Sequence, residues 1–494
     1  MDSIVSVFGS YVDWDVKSLL LFTAVFILTA DYIKTRQPDS FPPGPRTFPI
    51  VGNILNVDFT RTHEILTQFV GRYGDVFSLR IGQTWMVVLN GFEVLKEALV
   101  NQGDSLEDRP YIPLVEDVNG NTWKQQRRFA FSTLKYFGFG KKSLEPIILD
   151  EFAYLTSNFL FNCKGKPFNP HLIINNTVSN IICYLVFGHR FEYSDEKFVK
   201  LMKWFGKGLE IEVSIWAQVQ RLPGPHQTAK HIWNSTNDFI REEIKEHRQN
   251  WDPSDQRDYI DCYLNEIQMV IDLQPGSQPG HHILENLVMC VMDLFVSGSE
   301  TTSTTLRWAF LYMAKYPEIQ AKVQAEIDRV IGQSRQPSME DRANLPYTDA
   351  VLHEIQRFGN VIPLSLPRVT DRDIQLGGYT IPKVILIIPN LTSVLFDKNE
   401  WETPDTFNPG QFLNKEGKFV KRAAFIPFST GKRACLGESL AKMHLFIFFT
   451  SFMQHFTFSM PAGVKPVMDF HFGITLAPRE YEICATSLGS KPWF

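Results

Sequence analysis

The most informative segment of this chain is FSTGKRACLG, residues 428–437. It places one cysteine, Cys435, among glycines and directly before an apolar segment whose period predicts a helix over about 436–455. Lys432 and Arg433 stand close to this thiol. Backbone N–H groups of a glycine-bent loop, the positive end of a helix and nearby cations all stabilise a thiolate. The pattern alone leaves two interpretations open, a metal-ligating thiolate or an inert cysteine buried in a turn.

The composition around this stretch is that of a large globular protein. The 494 residues are 44% hydrophobic, 21% charged and 13% aromatic, which excludes intrinsic disorder, a fibre and a polytopic membrane protein. A net charge of -5 gives no overall electrostatic reason to bind nucleic acid. The six cysteines form no Cys-x-x-Cys pair, so neither a disulfide scaffold nor a zinc ribbon is expected. No linker or repeat interrupts residues 46–494, which favours one large body over several domains.

The first 36 residues are predicted to form a membrane anchor. Their only long uncharged apolar run is 19–30, which is short for a spanning helix and also suits a buried one. The leader is acidic and no small-x-small cleavage site follows the run, which disfavours a cleaved signal peptide. Lys34 and Arg36 follow, so the positive-inside tendency puts the rest of the chain on the cytoplasmic side. Residues 37–46 are proline-rich, and we expect an extended hinge or a mere spacer there.

Periodicity predicts a mainly α-helical chain with small β-sheets, in the α+β class. Helices are expected near 92–101, 144–163, 169–187, 195–217, 226–249, 258–272, 283–316, 318–332, 347–358 and 436–455. Strands are expected at 76–79, 85–89, 374–381, 384–388 and 456–460.

Several sequence motifs of other enzyme classes are present only in incomplete form. Residues 138–143 and 429–433 resemble phosphate loops, but neither has Ser or Thr directly after the Gly-Lys pair, so a P-loop nucleotidase is not expected. His353 and Glu354 begin a zinc-protease helix signature, but Arg357 occupies the position of its second histidine, and a guanidinium cannot bind zinc. The chain has no Gly-x-Ser-x-Gly elbow and no Gly-x-Gly-x-x-Gly loop, which disfavours hydrolases and Rossmann dehydrogenases.

The pattern F-x-x-G-x-R-x-C-x-G over 428–437 closely resembles the haem-thiolate signature of the cytochrome P450 superfamily. The resemblance implies haem b (iron protoporphyrin IX) as the cofactor and Cys435 as the axial ligand of its iron. It also implies that Phe428 packs beside the thiolate and that Arg433 pairs with a haem propionate. A thiolate ligand favours O–O cleavage, whereas a histidine ligand favours reversible binding of oxygen.

Residues 297–302, SGSETT, interrupt an apolar helical pattern. Such residues are costly inside a helix, and they suggest that Gly298 lets a flat cofactor approach and that Thr301 bonds a carbonyl one turn back. A polar stripe on a surface helix is the alternative, which the apolar flanks disfavour. The stretch resembles the superfamily's oxygen-activation motif, which implies that Glu300 and Thr301 relay protons. Ser297 stands where the superfamily usually has a small Ala or Gly above the haem.

Further positions match the superfamily's propionate-binding arginines. Trp123 and Arg127, spaced as W-x-x-x-R, match the helix that binds one propionate, and Arg109 and Arg368 match further propionate positions. With Arg433 these make four arginines, a reasonable complement for burying the two propionate carboxylates of the haem. The loop at 115–122 is shorter than the family's usual loop before this tryptophan, which leaves the shape of the substrate pocket open.

Glu354 and Arg357 lie three residues apart, so they share a helix face and can form a bidentate ion pair. Most such pairs are solvated and structurally unimportant. The resemblance identifies them as the superfamily's E-x-x-R pair, which a later segment, here 407–412, completes. Gln411 stands where the family at large has Arg, so it can hydrogen-bond to the pair but adds no charge.

The motifs span the chain and look most like those of microsomal family 2. The resemblance implies a monooxygenase that oxidises an apolar substrate (a fatty acid, steroid-like molecule or xenobiotic) at the cytoplasmic face of the endoplasmic reticulum. It also implies NADPH–cytochrome P450 reductase as electron donor, with cytochrome b5 as a further candidate. A haem-thiolate isomerase of lipid peroxides and a catalytically impaired haem-binding membrane protein remain alternatives. Candidate basic contacts for the reductase are Arg127, Arg128, Lys135, Lys421, Arg422, Lys432 and Lys442.

Overall fold

The computed structural model describes residues 16–110, 120–137, 144–160, 163–210, 225–273 and 281–489. The leader before residue 16, most of the short loop before Trp123, the phosphate-loop look-alike at 138–143 and the end of the helix expected at 195–217 lie outside these ranges. By internal contacts the chain divides into two units, Met1–Glu107 with Pro367–Asn390 and Asp108–Leu366 with Leu391–Phe494. Each unit is described by itself.

The first unit is built on a four-stranded sheet. Its helices are α1 (Val16–Thr35), α2 (Thr62–Tyr73) and α3 (Phe92–Lys96), and a π-helical turn (Glu97–Asn101) follows α3. Its strands are β1 (Val76–Ile81), β2 (Thr84–Leu89), β3 (Arg368–Val369), β4 (Ile374–Leu376), β5 (Tyr379–Ile381) and β6 (Leu386–Pro389). The order in the sheet is β1-β2-β6-β3, in which β1 and β3 are antiparallel to their neighbours and β6 is parallel to β2.

One strand prediction in this unit is wrong. The segment expected as a single strand over 374–381 is a separate hairpin of β4 and β5. Gly377 and Gly378 form its turn with φ of 58° and 84°, which is backbone that glycine adopts without the strain other residues would meet.

The second unit is mostly helical. Its helices are α4 (Gly120–Tyr136), α5 (Glu145–Leu155), α6 (Pro170–Phe187), α7 (Glu196–Glu210), α8 (Pro225–Gln249), α9 (Tyr259–Leu273), α10 (His281–Lys315), α11 (Pro317–Val330), α12 (Pro346–Gly359), α13 (Thr392–Leu395) and α14 (Glu438–His455). Its strands form two short antiparallel pairs, β7 (Phe456–Ser459) with β10 (Cys484–Ser487) and β8 (Phe470–Phe472) with β9 (Leu476–Pro478). The expected class, mainly helical with small sheets, is confirmed.

The helix α10 runs through the core of the second unit and packs against α6, α8, α12 and α14. The helix α14 is buried continuously from Met443 to Gln454, and Phe446, Phe448 and Phe449 in it have no exposed surface, as expected of a helix segment buried all round. Because α14 begins at Glu438, three residues after Cys435, this core fixes the start of α14 and with it the preceding residues 428–437, the cysteine loop.

Candidate functional site

The cysteine loop contains a short 3₁₀ turn, Gly431–Arg433, which ends two residues before Cys435. The Cys435 N–H donates to the carbonyl of Phe428 at 3.0 Å, which closes the loop back on itself. Burial raises the pKa of the Cys435 thiol, whereas the N–H groups of Gly437 and Glu438 lower it by donating to the sulfur. Cys435 is nevertheless an exposed residue, so it is not sealed in the core. Two amide donors of the expected nest are therefore in place, but burial outweighs them and the pKa of the thiol is raised overall.

Trp123, Arg127 and Arg433 form one group, the Trp123 cluster, next to this loop. The Arg433 guanidinium stacks on the Trp123 ring with its carbon 3.4 Å from the ring centroid, and that of Arg127 lies 5.7 Å from the same ring. Arg127 also donates to the Ala434 carbonyl at 2.6 Å, which ties α4 to the cysteine loop. Burial lowers the pKa of Arg127, and the nearby Cys435 opposes this shift. The cation from α4 thus acts on the thiol together with the loop amides.

The other two arginines, Arg109 and Arg368, belong to different units. Arg109 donates to the Leu366 carbonyl at 2.6 Å within the second unit. Arg368 belongs to β3 of the first unit, and only 1% of it is exposed. Their roles at a propionate stay predictions.

The helix α10 carries a ladder of hydroxyl hydrogen bonds on one face. The Ser297 hydroxyl donates to the Asp293 carbonyl at 2.5 Å, Thr301 to the Ser297 carbonyl at 2.7 Å, and Thr305 to the Thr301 carbonyl at 2.7 Å. The expected bond from Thr301 to a carbonyl one turn back is present. Such bonds compete with the helix's own N–H groups and open it locally.

Asp293 is a further residue of this face, and no sequence motif points to it. It lies four residues before Ser297 and eight before Thr301, so all three share one side of α10. Its side chain has accessible surface, yet burial raises its pKa to about 6. A single aspartate within the apolar run 287–296 was the available signal.

The explanation offered for Gly298 from sequence is wrong. A Cβ at this position would lie 2.7 Å from Cδ1 of Ile182 on α6, so the missing side chain lets α6 pack closely against α10. Helix packing, and not the approach of a flat cofactor, requires glycine here.

Glu300 is buried and turned towards threonine hydroxyls. Its Oε1 accepts hydrogen bonds from Thr304 at 2.9 Å and from Thr475 at 3.0 Å. These bonds join α10 to the segment just before β9. The neighbouring Thr301 lies on the face of Ser297 and Asp293, so the two residues of the expected proton relay have different surroundings.

Glu354 and Arg357 form a fully buried ion pair on α12. Two guanidinium nitrogens each lie 2.7 Å from a different carboxylate oxygen, and neither side chain is exposed. The segment 407–412 completes the pair through the Asn408 N–H, which donates to Glu354 at 2.8 Å. The Gln411 amide donates to the same carboxylate at 3.4 Å, so it hydrogen-bonds to the pair without adding charge.

The basic residues suggested for docking differ in their exposure. Arg422 donates to the Glu400 carbonyl at 2.7 Å and Lys442 lies 2.6 Å from Glu438, and both are partly buried, as is Arg127. The remaining four are exposed, namely Arg128, Lys135, Lys421 and Lys432.

The cysteine loop and the Trp123 cluster together fit haem. A soft sulfur donor lined by amides suits iron, and two guanidinium groups beside it suit carboxylates such as the propionates. Cys435 would hold the metal, and Arg127 and Arg433 would bind the acidic edge of the macrocycle.

Comparison with known proteins agrees with this geometry. The sequence model described as Cytochrome P450 matches residues 42–485. Cytochrome P450 2J2 of Homo sapiens is 47% identical over 486 residues, covering 95% of this chain and 96% of the relative. Cytochrome P450 2J1 of Oryctolagus cuniculus is 46% identical with the same coverage, and cytochrome P450 2D6 of Homo sapiens is 42% identical over 94% of this chain and 98% of its own. The chain therefore belongs to the cytochrome P450 family, a family of haem b monooxygenases.

Proposed function

We propose that the chain is a membrane-anchored monooxygenase that takes electrons from NADPH through NADPH–cytochrome P450 reductase, with cytochrome b5 as a second donor. An apolar substrate R–H, O₂, two electrons and two protons would give R–OH and water. The bound haem would supply the activation of O₂ at its iron. The observation that carries the proposal is the amide-lined Cys435 joined to two arginines through the Trp123 cluster.

Thr301 is the residue that we assign to proton delivery beside the cofactor. Its hydroxyl donates to the Ser297 carbonyl, which leaves the oxygen lone pairs to accept a hydrogen bond from water. Glu300 would stand behind it, because its carboxylate is held by Thr304 and Thr475 and must rotate to exchange a proton on that side. Because Thr301 would act first, we expect its substitution to lower product formation more than substitution of Glu300.

The proposed substrate is an apolar organic molecule such as a fatty acid, a steroid-like molecule or a xenobiotic. The apolar residues of α10 around Ser297 and Thr301 support this class. Ser297 and Asp293 add polar groups to the same face, which would orient a substrate that carries a hydrogen-bonding group.

Turnover tests the proposal directly. Purified protein with NADPH and reductase should hydroxylate members of a lipid and drug panel. Thr301→Ala should keep the haem but lower the product formed per NADPH consumed. Thr305→Ala is the matched control, since it removes the same kind of hydroxyl bond one turn further on and should leave this ratio unchanged. Peroxide rearrangement without reductase would point instead to the isomerase, and unchanged coupling in Thr301→Ala would contradict the relay.

We further propose that residues 1–36 anchor the protein in the endoplasmic reticulum membrane and that residues 47–494 form the haem domain, which faces the cytoplasm. The proline-rich residues 37–46 would be the hinge that connects the two. Among the described residues, α1 is the one helix long and apolar enough to span a bilayer, with 20 residues and a mean hydropathy of 1.7. Lys34 and Arg36 after the apolar run support the orientation. Protease added to sealed microsomes should digest the haem domain, and full protection would contradict the orientation.

A further inference from the structure

We propose that an ion pair between Asp31 and Arg80 locks the end of α1 onto the β1–β2 hairpin. The lock would hold an apolar turn over residues 48–55, the lipid turn, against the bilayer that α1 enters. This inference rests on the proposed membrane anchor and adds to it a second lipid contact with a defined orientation.

The ion pair itself is well buried. Nη1 of Arg80 lies 3.2 and 3.1 Å from the two carboxylate oxygens of Asp31, and Nη2 lies 3.2 Å from one of them. The two side chains are 2% and 10% exposed. A carboxylate at the end of a membrane helix is costly unless it is paired, and here the pairing cation comes from the sheet.

The last turn of α1 makes two more bonds to the same hairpin. The Lys34 ammonium donates to the Gln83 side chain at 2.6 Å, in the turn between β1 and β2. The Trp85 indole N–H donates to the Thr35 carbonyl at 2.9 Å. The helix end is therefore held by both strands and by the turn that joins them.

The proline-rich segment is also bound along β1 and is not a free hinge. The Ser78 N–H and hydroxyl donate to the carbonyls of Pro43 and Pro42, both at 2.7 Å. Gly44 lies so close to β1 that a Cβ would be 2.0 Å from the Ser78 carbonyl oxygen. The Phe41 ring packs edge-on against Trp85 with 5.4 Å between centroids. Residues 38–46, which follow α1, are therefore fixed to the sheet as well.

Both partners of the lock also hold the lipid turn. Nη2 of Arg80 donates to the Phe48 carbonyl at 2.6 Å, and the Ile50 N–H donates to the Asp31 carboxylate at 3.1 Å. Phe48 and Gly52 pair as an antiparallel bridge that closes the turn. Ile50 has φ of 66°, a left-handed conformation that β-branched residues avoid, and such strain persists where the surroundings enforce it.

The lipid turn presents large apolar side chains to the outside. Phe48 is 47% exposed, Ile50 50%, Val51 39% and Leu55 74%. An apolar cluster of this kind marks a surface for a protein or a membrane. The bilayer is the occupant that we assign, because the carboxylate that bonds to Ile50 belongs to the helix that enters it.

Photocrosslinking to lipid tests the proposal on the full-length, haem-loaded protein. The protein is placed in vesicles of phosphatidylcholine that contain a photoactivatable acyl chain. Trypsin should release peptides 18–34, 47–61 and 384–398, which report on α1, on the lipid turn, and on the exposed Val384 outside it. In the wild type, lipid adducts should form on 18–34 and 47–61 and rarely on 384–398.

Asp31→Asn removes the charge of the lock and keeps its shape. The ratio of adducts on 47–61 to adducts on 18–34 should fall about tenfold if the charge is worth one charge-assisted hydrogen bond. Asp39→Asn, an exposed neighbouring aspartate, is the matched control and should leave the ratio unchanged. Phe48→Ser with Leu55→Ser leaves the ion pair intact and should lower adducts on 47–61 alone.

The possible results separate the two claims. Adducts on 47–61 no more frequent than on 384–398 would overturn the lipid turn, and an unchanged ratio in Asp31→Asn would overturn the lock. Absence of adducts on 18–34 would instead refute the anchor in the proposed function. The reduced CO spectrum of each variant confirms that the haem domain is folded.

Discussion

The buried Glu354–Arg357 pair allows a quantitative test of the fold that carries the haem site. Arg357→Gln removes the guanidinium and leaves the Glu354 carboxylate, with no exposed surface, facing the Asn408 N–H and the Gln411 amide. It also removes the donor that bonds to the carbonyls of Leu395 at 2.8 Å and Pro404 at 2.9 Å.

The size of the effect follows from burial. Breaking a buried pair by removing one partner costs about 3–5 kcal/mol, because a charge is left without compensation. With an unfolding entropy of about 2.1 cal/mol/K per residue, a chain of 494 residues loses about 1 °C of midpoint temperature per kcal/mol. We therefore expect a drop of about 3–5 °C. Arg357→Lys keeps the charge but loses the planar fork, and should fall between.

The measurement is the temperature at which half of the CO-binding, thiolate-type spectrum is lost at a fixed heating rate. The control is Arg61→Gln, because Arg61 and Glu64 form an exposed pair at the same spacing, 45% and 38% exposed. Its expected cost is below about 0.5 kcal/mol. If Arg357→Gln shifts the temperature no more than Arg61→Gln, the reasoning from burial is refuted.

Three further predictions concern proton linkage, cofactor retention and docking. Burial disfavours a charged His247, but its bond to Asp258 at 2.9 Å and the charge of that carboxylate raise its pKa to about 9, from an ordinary 6.5. The stability that the charged His247 adds to the fold is complete below pH 6.5 and is lost as pH rises through 9. In urea unfolding, His247→Gln should therefore be less stable than the wild type by up to about 3 kcal/mol at pH 6.5 and equal to it near pH 10. A difference that stays constant with pH would contradict this. Trp123→Ala should speed haem transfer to apomyoglobin about tenfold by removing the ring under Arg433, while Trp123→Phe should keep most of the affinity, and equal rates in both would count against the stack. Reduction by the reductase should slow with added salt, and more weakly in Lys432→Gln; a salt-independent rate would reject electrostatic docking.

Local patterns in the sequence predicted much of the second unit. The helices α6, α8, α10 and α12 have apolar periods with clear ends, such as Pro170 at the start of α6 and Gly188, with φ of 75°, after it.

Two elements of the first unit could not be predicted in the same way. The helix α2 has a weak apolar face, because only His63 and Leu66 in it are buried. The glycine pair at 377–378 was a hairpin signal that the apolar run around it obscured.

At the candidate site, residues close in sequence were predictable and distant partners were not. The spacing of Glu354 and Arg357 fixes their pairing on one helix face, and the hydroxyl bond of Thr301 is equally local. The stack of Arg433 on Trp123 joins segments about 300 residues apart, so only the tertiary fold determines it. The same holds for Ile182 against Gly298, a contact between two helices that the local sequence does not indicate.

Cys435 is assigned as the ligand of the haem iron, and the spectrum of the reduced protein with CO reports on that bond. The wild type should give the red-shifted Soret band of thiolate-ligated haem. Cys435→Ala should lose this band. It should survive the joint replacement of the five other cysteines, Cys163, Cys183, Cys262, Cys290 and Cys484. A thiolate-type band that persists in Cys435→Ala would contradict the account.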